Sequence, residues 1–114
     1  MYGDSPVLED LREAGLVTTL LASDQQWDFP NGWGPLHWMT VVGLRRYGHD
    51  DLADEIANRW IDVNRSVYDT TGRMAEKYDV TSGTWARDSG EYPLQHGFGW
   101  TNGVAVALSS LAGR

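Results

Sequence analysis

The stretch PLHWMTVVGLRRYGHDDLADEIANRWIDVNRSVYDTTG, Pro35 to Gly72, decides the fold. Pro35 suits a helix start, because the N–H it lacks is one that the first turn leaves unpaired anyway. From there to Tyr47 the apolar side chains Leu36, Trp38, Met39, Val41, Val42, Leu44 and Tyr47 spread around much of the helical circumference, and Gly48 ends the run. A helix apolar nearly all round requires cover on every side, which places it inside a layered array. Gly48-His49-Asp50 makes a tight turn. Residues 51–69 then carry Leu52, Ile56, Trp60, Val63 and Val67 at three- and four-residue spacing with charges between them, the pattern of an amphipathic outer helix. Asp50 and Asp51 stand at its positive dipole end, and Thr70-Thr71-Gly72 closes it. Trp38 and Trp60 occupy periodic positions and read as core. The fold class that follows is all-α, built of helical hairpins.

Upstream, Pro6-Val7-Leu8 opens a short helix to about Ala14, with Ser5 as N-cap and Gly15 as stop. Residues 16–21 read as an extended, partly buried connector, and residues 23–34 as a long polar-aromatic loop. Downstream, residues 101–111 form a final, almost wholly apolar helix, again of inner type. Between them lies RMAEKYDVTSGTWARDSGEYPLQHGFGWTNGV, Arg73 to Val104. It sets Glu76, Asp79, Asp88 and Glu91 among Tyr78, Trp85, Tyr92, Phe98 and Trp100, with Gly83, Gly90, Pro93, Gly97, Gly99 and Gly103 breaking the backbone. This composition predicts an ordered functional loop, neither regular helix nor strand. Gly97, Gly99 and Gly103 read as points where the chain passes close to neighbours. Aromatic faces stack on the CH-rich side of a pyranose, carboxylates bind hydroxyls, and a carboxylate pair can run acid/base hydrolysis.

Helix parity joins the two loops. If successive helices run antiparallel through short connections, the loops entering the Pro35 and Thr101 helices lie at one end of the array and the Gly48 turn at the other. Trp33, Glu76 and Glu91 are then expected on one rim, with the carboxylates directed to a shared cleft and a Trp33 ring face turned toward it.

The residues of both loops carry a family resemblance. Glu76-Lys77-Tyr78-Asp79, Gly90-Glu91-Tyr92-Pro93-Leu94-Gln95 and Gly97-Phe98-Gly99-Trp100-Thr101-Asn102-Gly103 resemble the C-terminal active-site block of the α,α-trehalase glycoside hydrolases. Gln25-Gln26-Trp27-Asp28-Phe29-Pro30-Asn31-Gly32-Trp33 resembles that family's second signature motif. The resemblance runs from about Gly15 to the C-terminus. One departure is Trp85-Ala86-Arg87-Asp88-Ser89, where relatives commonly run glycines up to the Glu-Tyr pair. The resemblance implies an inverting hydrolase on an (α/α)6 toroid, with trehalose or a related disaccharide as its ligand and glucose as product. It implies Glu76 as the general base and Glu91 as a carboxylate at the substrate and water site. Trp33, Asn31, Trp100 and Phe98 are the further substrate-binding candidates. It also implies that residues 1–114 are one partial, C-terminal catalytic domain, because the family's general acid, an aspartate, and its substrate-binding arginines lie in motifs upstream of the segment covered here. The isolated chain is expected to be inactive for that reason.

Composition bounds the alternatives. A chain of 114 residues is one domain at most. Its net charge of −7 without a basic cluster argues against nucleic acid, whose phosphates need gathered Lys and Arg. No cysteine is present, and His37, His49 and His96 lack metal-ligand spacing, so no metal site is expected; the resemblance likewise implies no metal or organic cofactor. No charged-then-apolar leader follows Met1 and no apolar run is long enough to span a bilayer, so no membrane association is expected and the compartment, cytoplasmic or periplasmic, stays open. Two other readings of the same residues remain: a carbohydrate-binding fragment without turnover, and a helical interaction scaffold. Partners other than sugar are the missing remainder of the toroid or a second copy, since both inner helices carry apolar flanks.

Overall fold

The computed structural model describes residues 10–20, 22, 29–85 and 99–113. Three helices dominate: α1 (Gly34–Arg46), α2 (Asp50–Thr71) and α3 (Gly99–Leu111). Pro35 lies in the first turn of α1. Gly48, with φ of 81°, turns the chain, and the His49 N–H returns to the Leu44 carbonyl at 2.8 Å. The C-terminus of α2 is capped by Gly72 in the left-handed conformation, its N–H donating to the Tyr68 carbonyl. Leu52, Ile56, Trp60, Val63 and Val67 of α2 are all buried, as the spacing predicts. They form the core with Val41 of α1, Leu108 of α3 and the segment Ala75, Tyr78 and Val80.

The helix expected up to Ala14 is corrected over its described part. Residues Leu11–Arg12 (β1) and Gly15–Leu16 (β2) form a small antiparallel hairpin. Tertiary bonds outweigh the local capping signals here: Ala14 N–H donates to Val80 O, and Arg59 of α2 donates to Arg12 O. Gly15 is not a helix stop but a hairpin residue with φ of 140°. The stretch after α2, expected to be neither helix nor strand, and the loop before α1 both hold short strands, because they pair with each other across the helices. Asn31–Trp33 (β3), Lys77–Asp79 (β4) and Thr84–Trp85 (β5) make an antiparallel sheet in the order β3-β4-β5. Asp79 caps its tight turn through Oδ1, which accepts from Thr81 N–H, Thr81 Oγ1–H and Ser82 N–H.

The parity argument holds for the described helices. Gly34 at the start of α1 faces Trp100 and Thr101 at the start of α3, where an added Cβ would stand 3.6 Å from Thr101 Cα and from the Trp100 carbonyl. At the other end Arg45 of α1 reaches the Leu111 carbonyl of α3 at 3.2 Å and pairs with Asp54 of α2. Thus α1 and α3 run parallel, with the Gly48 turn far from their N-termini. Met39, Val106 and Leu111 on these two helices remain exposed.

His37 of α1 joins four elements. Its ring stacks on Trp60 of α2 with centroids 3.9 Å apart and planes 18° from parallel. Nε2 accepts the Leu16 N–H at 2.8 Å, and Nδ1 lies 2.7 Å from the Trp33 carbonyl. A backbone N–H only donates and a carbonyl only accepts, so the imidazole must be neutral with its proton on Nδ1. Burial lowers its pKa to about 4, although the bond to Trp33 works the other way. In the unfolded chain the group titrates near 6.5, so between these values the unfolded state binds the extra proton. The contribution of neutral His37 is therefore complete above about pH 6.5 and is lost as pH falls toward 4, amounting to about 3 kcal/mol. Thermal melts followed by circular dichroism are expected to show a falling midpoint across that window; a midpoint that does not move from pH 7 to 4 would contradict this role.

Candidate active site

The strand register sorts the site residues onto two faces. Asn31 pairs with Asp79, Gly32 with Tyr78, and Trp33 with Lys77. Side chains alternate along a strand, so Tyr78 faces one way and Trp33 and Lys77 the other. Tyr78 packs edge-on against Trp60 at 5.2 Å and its hydroxyl oxygen accepts the Ala75 N–H at 3.1 Å. Burial pushes its phenol above the ordinary range, and it belongs to the core. Gly32, opposite Tyr78 on the core face, is required there: an added Cβ would come within 2.6 Å of Val80 Cγ1 and 2.7 Å of the Leu16 carbonyl.

On the other face, the Lys77 ammonium lies 5.5 Å from the centroid of the Trp33 ring. Trp33 in turn meets Trp100 edge-on, with centroids 5.8 Å apart and planes at 84°. Glu76 immediately precedes β4 and is 6 % exposed, and its backbone carbonyl lies 3.5 Å from the Thr101 hydroxyl in the first turn of α3. Among the described residues no ion pair or hydrogen bond holds its carboxylate. Glu76, Trp33 and Trp100 therefore gather at the N-terminal ends of α1 and α3, where unpaired N–H groups concentrate positive potential.

One expectation changes. Trp33 is 2 % exposed, so it does not turn an open ring face to a cleft; its cross-strand partner Lys77 and the neighbouring Trp100 enclose it. Asn31 is likewise buried, its carbonyl accepting the Thr18 N–H. Among the described residues Trp100, at 38 % exposure, is an aromatic side chain that this end presents outward. Glu91 and Phe98 lie outside the described residues, as do Trp27 and Asp28. Gly99 and Gly103 meet nothing within 4 Å, so the close approaches belong instead to Gly15 and Gly32. Sequence reasoning passed over Lys77 and His37, both fully buried. No local signal marks Lys77, since its alternation with Tyr78 would put a lysine on a solvated face. Among the described residues no group of His, Asp and Glu is arranged to hold a metal ion, and no helix is long and apolar enough to cross a membrane.

The trehalase family model matches residues 4–113. The chain belongs to the trehalase family. It is 51 % identical over 110 residues to a periplasmic trehalase of Pseudomonas aeruginosa, covering 96 % of this chain and 20 % of that protein. A periplasmic trehalase of Salmonella newport is 48 % identical over 101 residues, covering 89 % of this chain and 18 % of the relative. Among solved structures, neutral trehalase of Saccharomyces cerevisiae superposes with a TM-score of 0.73 at 25 % identity, over 96 % of this chain and 19 % of the yeast one. The chain thus spans about a fifth of the length of these trehalases. Its helices are a sector of their (α/α)6 fold, with short strands added at the rim.

The crowding at Gly32 makes a test of the ribbon that carries Glu76 and Trp33. Gly32→Ala is expected to cost about 1–3 kcal/mol through overpacking, read as a lower denaturant midpoint. An unchanged midpoint would show that Val80 and the Leu16 backbone yield freely.

Proposed function

We propose that this segment is the base-bearing portion of an α,α-trehalase that hydrolyses trehalose to glucose with inversion. The observation that carries the proposal is the placement of Glu76: a buried carboxylate at the shared N-terminal end of two parallel helices, beside an outward-facing tryptophan, in a chain half identical to a trehalase. Glu76 is the general base, drawing a proton from the water that attacks the anomeric carbon. Trp100 is the aromatic wall against the sugar, with Phe98 as a further substrate-binding aromatic and Glu91 as a second carboxylate at the substrate and water. Trp33 and Asn31 act from behind, as support for the rim. The general acid is supplied by residues outside this segment, since an inverting pair needs a second carboxyl group roughly 6.5–9.5 Å from the base. The bacterial relatives, both named periplasmic, favour the periplasm as the compartment.

In the full-length trehalase that carries this segment, Glu76→Gln is expected to lower kcat by about 10²–10⁴ while leaving KM near its original value. The isolated segment is expected to release no glucose from trehalose. Steady release by the pure segment, or full turnover by the Gln variant, would overturn the assignment.

The exposed Met39, Val106 and Leu111 fit the same reading, because neighbouring helices of a complete toroid would cover these flanks. Light scattering of the isolated segment is expected to give a mass above the monomer, accompanied by binding of an apolar dye. A monomer with a sharp melt and no dye binding would count against it.

A further inference from the structure

The chemistry proposed for Glu76 makes no use of Lys77, although Lys77 is the more deeply buried of the two at 1 % exposure. Lysine is among the residues least often fully buried, because its ammonium gives up strong hydration. Filling space does not require the charge: methionine has similar length and no desolvation cost. The charge therefore calls for a role, and its surroundings supply one. The Trp33–Lys77 register sets the ammonium over the face of the Trp33 ring, 5.5 Å from its centroid, within the range of a cation–π contact. The same ring meets Trp100 edge-on at 5.8 Å. Trp100 is half exposed in the first turn of α3, next to the residue whose hydroxyl approaches the Glu76 backbone.

We propose that Lys77 is a positioning residue for substrate binding: its ammonium fixes the Trp33 ring, and through the edge contact sets where the Trp100 ring meets a sugar held beside Glu76. Lys77 itself touches no substrate. The idea rests on the reading of Trp100 and Glu76 as parts of the sugar site. Trp33 faces the cation with its π-cloud and so cannot rotate without losing that contact, and Trp100 then packs against a fixed neighbour. Without the charge both rings gain freedom, and part of the binding energy is spent on ordering Trp100. The effect falls on ground-state binding, because the wall contacts substrate and transition state alike.

The experiment uses the full-length trehalase that carries this segment. Lys77→Met is expected to raise KM for trehalose about tenfold with kcat within about twofold, as loss of one desolvated cation–π contact would do. Lys77→Arg, which keeps a cation over the ring, is expected to restore most of the affinity. The decisive reading is a cycle with Trp100→Ala: once Trp100 is gone, Lys77→Met adds no further rise in KM. Additive effects would mean that Lys77 serves packing alone and would overturn the proposal, as would an unchanged KM in Lys77→Met. Should Lys77→Met fail to fold, Trp33→Phe and Trp33→Leu decide. The phenyl ring keeps a face for the cation and is expected to stay near the wild-type KM, whereas the leucine raises it; equal values in both would overturn the proposal. Glu76→Gln separates the two levels. Full turnover by that variant would remove the site and this proposal with it, whereas a normal KM in Lys77→Met removes the proposal alone.

Discussion

The neutral imidazole of His37 is the constraint on which the rest of the structure depends. It accepts from the Leu16 backbone, donates to the Trp33 backbone and lies flat on Trp60, so one ring fixes the N-terminal hairpin, the end of β3 and the middle of α2 relative to α1. A buried backbone group left without a partner costs about as much as a lost hydrogen bond, and the ring serves two such groups. Gly15 is shaped by the same ring, since a Cβ there would come within 2.4 Å of Nε2. The two hydrogen bonds admit only one protonation state, which ties the packing of this region to the charge of a single side chain.

What His37 secures is the exit of β3 into α1, the end at which Glu76, Trp33 and Trp100 gather. With the Trp33 carbonyl held, β3 presents its edge to β4, and β4 delivers Glu76 to the first turn of α3. The opposite end of the helices is tied differently, through Arg45 to Asp54 and to the Leu111 carbonyl. One end of the array therefore fastens the helices through Arg45, and the other gathers Glu76, Trp33 and Trp100.

The helices were legible because their signals are local. Apolar spacing in residues 51–69, Pro35 at one start and Gly48 and Gly72 at two stops place α1 and α2 to within a residue or two, and parity then places the rim. The strands were not legible, because three residues of β3 or β4 are too few to display a period and exist only by pairing with each other across α1 and α2. The hairpin at Leu11–Leu16 was read as helix for the opposite reason: good capping residues were present, and contacts with Val80 and Arg59 overruled them. The glycines flanking Trp33 serve closeness, Gly32 to Val80 on one side and Gly34 to α3 on the other. That is why a tryptophan expected at an open face lies enclosed while Trp100 stands outside it.

The pairing of β3 with β4 has a consequence for the order of assembly. Its two strands are separated in the chain by the whole of α1 and α2, so bringing them together as free coil would carry the loop-closure entropy of that entire span. An antiparallel helical hairpin returns the chain to its starting end through contacts between sequence neighbours, and so shortens the effective gap before the strands meet. Chain topology thus ties the placement of Glu76 to the docking of the two helices that lie between its strand and β3.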